Sequence, residues 1–131
     1  MTQAPEPTGP LPARRLVIKV TAGAEAPERC SQAFTVAATA VAAGVEVSLW
    51  LTGEATWFAV AGRTVDLGLQ HAVPVPDLLD AVLADGHVTV CTQCAARRDL
   101  GPDDLLPGIV VAGAAAFVEQ VTAPGVQALV Y

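Results

Sequence analysis

Leu16-Val17-Ile18-Lys19-Val20 is a short β-branched run, broken by one lysine and closed by Thr21-Ala22-Gly23, and it predicts a strand followed by a loop. Over residues 27–43 the apolar period changes, with Cys30, Phe34, Ala37, Ala38 and Val41 recurring at helical spacing. Pro27 suits a first helical turn, Glu25 and Glu28 favour its positive end, and Gly44 suits the position just past the last turn. Period two then returns: Val45, Val47, Leu49 and Leu51 fall on one face, Glu46, Ser48 and Trp50 on the other. Such alternation predicts a half-exposed edge strand, with Trp50 an apolar rim group that a partner subunit can cover.

Residues 54–61 hold Trp57, Phe58 and Val60 in a short helical pattern stopped by Gly62, whereas 63–75 show no firm period. A loop of that length is more often functional or disordered than not, and its His71, without a sequence partner, reads as a solvated side chain. Residues 76–84 read as a helix by the proline at the start, the apolar stripe Leu78, Leu79, Val82 and Leu83, and Gly86 after the end. His87-Val88-Thr89-Val90-Cys91 predicts the next strand and Ile109-Val110-Val111 another. Residues 113–122 predict a small-residue helix, and 126–130 a last strand after Pro124-Gly125. This alternation of strands and helices predicts an α/β protein, a flavodoxin-like three-layer sandwich around a parallel five-stranded sheet. Residues 1–15, with four prolines and no apolar period, read as a flexible tail, leaving 16–131 as a single domain. In such open sheets ligands bind outside the carboxyl ends of the strands near the switch in strand order, and Cys91 ends a strand, so it points there.

Composition adds a partner. Of the 131 residues 53% are hydrophobic and only 15% charged, too few charges to cover a small domain, so a homo-oligomer is expected. The net charge of −6 disfavours tracking nucleic-acid phosphates. The longest apolar stretches, 36–45 and 109–118, fall short of the roughly 18 residues of a membrane span, and 1–12 lack the basic start and apolar run of a secretory signal. A cytoplasmic location follows as the expectation.

Three cysteines are an odd count, which in a reducing compartment suits buried or reactive thiols better than a disulfide framework. Cys30 falls on the apolar stripe of the first helix and reads as core. Cys91-Thr92-Gln93-Cys94 lies between a strand end and a helix start, where the positive helix end lowers a thiol pKa. Arg97 and Arg98 add positive potential there, and Asp99, Asp103 and Asp104 oppose it. The pair permits attack by one thiol and resolution by the other. Ending the strand favours Cys91 as nucleophile, whereas opening the helix gives Cys94 a claim on the dipole. A metal needs about four ligands, and Cys30, His71 and His87 supply no second ligand pair at suitable spacing. Neither metal nor cofactor is expected: the glycine-rich dinucleotide and phosphate-loop patterns and the serine-hydrolase elbow are absent. The amides of the loop Thr21-Ala22-Gly23-Ala24-Glu25 suit a small anion, although the neighbouring glutamates oppose a phosphate. Two readings compete with thiol catalysis: an oligomeric binding protein whose cysteines are small buried hydrophobes, and a redox sensor that closes a Cys91–Cys94 disulfide.

The chain resembles the DsrE/DsrF-like family of sulfur-relay proteins, including its YchN-like and TusD-like branches. The resemblance is carried by residues 16–24, by Val88-Thr89-Val90-Cys91-Thr92-Gln93-Cys94 with Arg97-Arg98, by Leu106-Pro107-Gly108-Ile109-Val110 leading into Gly113, and by the closing segment 123–131. It implies homotrimers or hexamers, and a sulfur-relay or sulfurtransferase role in which the cysteine at position 91, Cys91, carries sulfur as a persulfide between donor and acceptor proteins. Cys94 matches the second cysteine of the YchN-like branch. Asp99 departs from the pattern: the family commonly has a glycine after the arginine, and the aspartate is expected to alter the turn.

Overall fold

The structure, a computed structural model, describes residues 14–131. Most of the segment read as a tail therefore lies outside the described residues. Strand β1 (Arg15–Val20) begins one residue ahead of the apolar run, because Arg15 already pairs with Glu46 on one side and Val126 on the other. Then follow helix α1 (Pro27–Ala42), strand β2 (Glu46–Leu51), a 3₁₀ segment Gly53–Ala59, helix α2 (Val75–Asp85) and strand β3 (His87–Cys91). Helix α3 (Thr92–Arg97), a 3₁₀ turn Pro102–Asp104, strand β4 (Val110–Ala112), helix α4 (Ala114–Val121) and strand β5 (Val126–Val130) complete the order.

All strand pairs are parallel, and the sheet order is β4-β3-β2-β1-β5. Helices α1 and α2 bury Cys30, Phe34, Ala37, Leu79 and Val82 against Ile18, Val20, Val47, Leu49, Leu51, Val88 and Val90, one continuous core on one sheet face. The periodicities seen in the chain produce this layer directly: alternate strand positions meet helical stripes. The expected α/β sandwich is the observed one.

The other face departs from expectation. β2 is an interior strand between β1 and β3, and Trp50 is only 2% exposed. Its alternation is not that of an edge. Helix α4 crosses this second face, and Gln120 Oε1 accepts hydrogen bonds from Ser48 Oγ and Trp50 Nε1, both at 2.9 Å. The Trp50 ring stands edge-on to Phe117, with centroids 5.4 Å apart and planes at 81°. Polar atoms of β2 are thus satisfied inside the protein rather than by water.

Apolar exposure lies elsewhere. Helix α4 has no buried residue, and Val110, Val118 and Val130, from β4, α4 and β5, are 57%, 54% and 63% exposed. The chain steps from β1 to β4 in one direction across the sheet and then returns to place β5 beside β1. The switch in strand order therefore lies between β1 and β5, two strands from β3. The end of β3 is at the carboxyl edge of the sheet, as expected, but not at the switch. Residues 63–74 form an irregular connection in which His71 is exposed with a left-handed φ of 60°, and Val75 already opens α2. No helix among the described residues is long and apolar enough to cross a membrane.

Candidate functional site

Cys91 is both the last residue of β3 and the N-cap of α3, with extended backbone angles of φ −63° and ψ 129°. The two claims weighed from the chain, strand end and helix start, therefore fall on one residue. Its sulfur makes no close capping hydrogen bond, but the first amides of α3 are oriented toward it. Partial burial pushes the Cys91 thiol up; the backbone N–H and the thiol of Cys94, the backbone N–H of Gln93 and the charge of Lys19 outweigh it. The net result is a thiol held below its ordinary value. A half-buried thiol held lower carries a larger thiolate fraction, the nucleophilic form, than an ordinary cysteine at the same pH.

Cys94 occupies the third position of α3 and is 8% exposed. Gly53 donates its backbone N–H to Cys94 Sγ at 3.2 Å. Gly53 has φ +54°, and a Cβ there would stand 2.6 Å from the Thr21 carbonyl oxygen, so only glycine brings this amide to the sulfur. The close approach of the loops after β1 and β2 thus fixes a donor at the second thiol.

The cation acting on Cys91 is Lys19, not Arg97 or Arg98. Arg97 is exposed. Arg98 directs Nη1 to the Cys94 carbonyl oxygen and Nη2 to Glu54 Oε2, both at 3.1 Å. Glu54 Oε2 also accepts Trp57 Nε1 at 2.8 Å, and the Arg63 guanidinium lies 3.7 Å from the Trp57 ring centroid. The hydrogen bond from Arg98 is the main cause that holds the Glu54 carboxyl below the usual range. Arg98 therefore ties α3 to the 3₁₀ segment that carries Gly53, and acts on the site through position rather than charge.

The loop after β1 does not offer the anion cradle its glycine suggested. Both carboxylate oxygens of Glu25 accept the Gly23 N–H, at 2.8 and 3.1 Å. Cys30 is fully buried, and burial, with Glu25 adding to it, pushes its thiol up to about 12. It is a core side chain.

The profile of the DsrE/DsrF-like family matches residues 14–129. The chain belongs to that family. The fold of this DsrE-like protein is similar to that of the ychN protein from E. coli, with a TM-score of 0.74 at 15% identity over 90% of this chain and 99% of that one. It is also similar to the protein of unknown function MTH1491 from Methanobacterium thermoautotrophicum, with a TM-score of 0.69 at 11% identity and the same coverage. No curated protein matches the chain.

Within this DsrE-like domain Asp99 stands in a left-handed turn that closes α3. It has φ 53°, in the region that favours glycine, while Leu100 N–H bonds the Ala95 carbonyl oxygen at 3.0 Å. Lys19 and Gly53 are site residues that local pattern did not single out. A lysine inside an otherwise aliphatic strand was the available signal for the first; for Gly53 there was none, since its role depends on the approach of Thr21. Neither His71 nor His87 joins the thiols, and among the described residues no group of three His, Cys, Asp or Glu side chains converges on a metal position.

Proposed function

We propose that this DsrE-like protein is a sulfur carrier that holds a persulfide on Cys91. Membership of a sulfur-relay-like family supports the reading, and the observation that carries it is the half-buried Cys91 at the start of α3, its thiol lowered by helix amides and Lys19. The Cys91 thiolate attacks the sulfane sulfur of a donor, forming a sulfur–sulfur bond as the donor's leaving group departs with the electron pair. An acceptor thiolate then attacks the outer sulfur, and Cys91 leaves as thiolate. Carriage between donor and acceptor proteins fits a cytoplasmic protein, and the exposed valines of β4, α4 and β5 support assembly into a homo-oligomer. Incubation with a sulfane donor followed by mass spectrometry is expected to add one sulfur to Cys91, and none to a Cys91→Ser variant. A wild-type protein that stays unmodified sinks the reading.

A second reading, a binding protein with structural thiols, is favoured by a cavity of about 340 Å³ on the sheet face under α4, lined among others by Arg15, Glu46, Ser48, His87 and Gln120. It lies toward the amino ends of the strands, away from Cys91. Thiol titration separates the two: a low-pKa, reactive Cys91 supports transfer, and unreactive cysteines support binding.

A further inference from the structure

Cys91 and Cys94 stand three positions apart across the first turn of α3. Helix geometry places their Cα atoms about 5 Å apart, within the roughly 4.4–6.8 Å that a disulfide spans. The two thiols are not equivalent. Cys91 is half-buried and open to an incoming reactant, whereas Cys94 is buried behind it. The Cys94 thiol is close enough to the Cys91 sulfur to favour its thiolate. On its other side Cys94 meets the Gly53 N–H, a donor aimed at sulfur that stabilises negative charge developing there. A buried thiol with a donor at its sulfur, one helical turn from an accessible thiol, is the arrangement that resolution of an adduct on the accessible thiol requires.

We infer that Cys94 is a resolving thiol and gives the protein a second activity, reduction of the sulfur held on Cys91 to sulfide. The inference rests on the carrier reading. In the step, the Cys94 sulfur attacks the inner sulfur of the Cys91 persulfide, Cys91 Sγ. A bond forms between Cys94 Sγ and Cys91 Sγ, and the bond from Cys91 Sγ to the outer sulfur breaks. The outer sulfur leaves with the electron pair and takes the Cys94 thiol proton, departing as hydrosulfide. The sulfane sulfur gains two electrons and the thiol pair loses two, so one hydrosulfide appears for each Cys91–Cys94 disulfide formed. An external dithiol resets the pair: it attacks the more accessible Cys91 sulfur, and Cys94 leaves as a thiolate facing the Gly53 N–H.

Attack on the inner sulfur and attack on the outer one are distinct fates of one intermediate. An acceptor docked at Cys91 takes the outer sulfur as a persulfide. Without an acceptor, Cys94 discharges it as sulfide. Cys30, fully buried on α1, takes no part.

The test uses the full chain, reduced, treated briefly with one equivalent of inorganic polysulfide per subunit, desalted and held without added thiol. Wild type is expected to pass from one added sulfur to a product lighter than the reduced protein by two hydrogens, with matching release of sulfide. Cys94→Ser and Cys94→Ala are expected to keep the added sulfur and release sulfide at least about tenfold more slowly. Adding a dithiol to the wild-type product should restore the reduced mass. A wild-type protein that holds its added sulfur and releases no sulfide overturns the inference while leaving the carrier reading intact. Release from the Cys94 variants at the wild-type rate does the same. If neither wild type nor variant gains sulfur, the carrier reading fails and this inference falls with it.

Discussion

Lys19 and Cys91 lie on the same face of the sheet, although one is on β1 and the other on β3. Lys19 is level with Trp50 and Trp50 with Thr89, and Cys91 is two residues beyond Thr89, so the pleat turns both side chains to one side. The Lys19 ammonium, 4.9 Å from the Phe117 ring centroid, favours the Cys91 thiolate. Alkylation follows the thiolate, so its rate should rise with pH and level off below the ordinary thiol range near about 8.5. Lys19→Met should move that midpoint upward and slow alkylation at neutral pH by about two- to fivefold, an effect that shrinks in high salt. An unchanged profile removes Lys19 from the site.

The same shift links to stability. A folded-state pKa below the unfolded one contributes stability that is present above the unfolded thiol pKa and is lost as pH falls through the folded value. Unfolding in denaturant is expected to show this part of its pH dependence in wild type and to lose it in Cys91→Ser.

Gln120 fixes the second face of the sheet. In Gln120→Leu the Ser48 hydroxyl and Trp50 Nε1 lose their shared acceptor, and a stability loss of about 1–3 kcal/mol is expected from equilibrium denaturation. A variant as stable as wild type refutes the assignment of α4 as the cover over Trp50.

Asp99 is an L-residue in left-handed backbone, at φ 53°. Asp99→Gly should stabilise by up to about 1 kcal/mol, the relief of left-handed strain being partly offset by glycine's greater chain entropy in the unfolded state. Asp99→Val should destabilise. Thermal melts of the two variants check the opposite signs.

The exposed valines test assembly. Val118→Glu places a charge on the uncovered side of α4, and Val130→Lys places one on the outer strand β5. Either is expected to shift sedimentation toward monomer with the circular dichroism spectrum unchanged. Wild type that sediments as a monomer shows these side chains to be plain surface.

The chain by itself determined the order of elements, the parallel sheet, the apolar layer under α1 and α2, and the placement of Cys91 and Cys94 at a strand-to-helix junction. Those features follow from local period, caps and turns, which act over a few residues. Tertiary structure decided what depends on contacts between distant segments. Trp50 reads as exposed because alternation records polarity, and Gln120, 70 positions away, is what makes that polarity compatible with burial. The cation near Cys91 comes from β1 because strand register, not sequence distance, sets which side chains share a face. Gly53 meets Cys94 across 41 positions because two loops converge at the carboxyl edge of the sheet. A thiol pair is visible in sequence; which thiol faces solvent, and which is held behind it against an amide, is settled only when those loops are packed together.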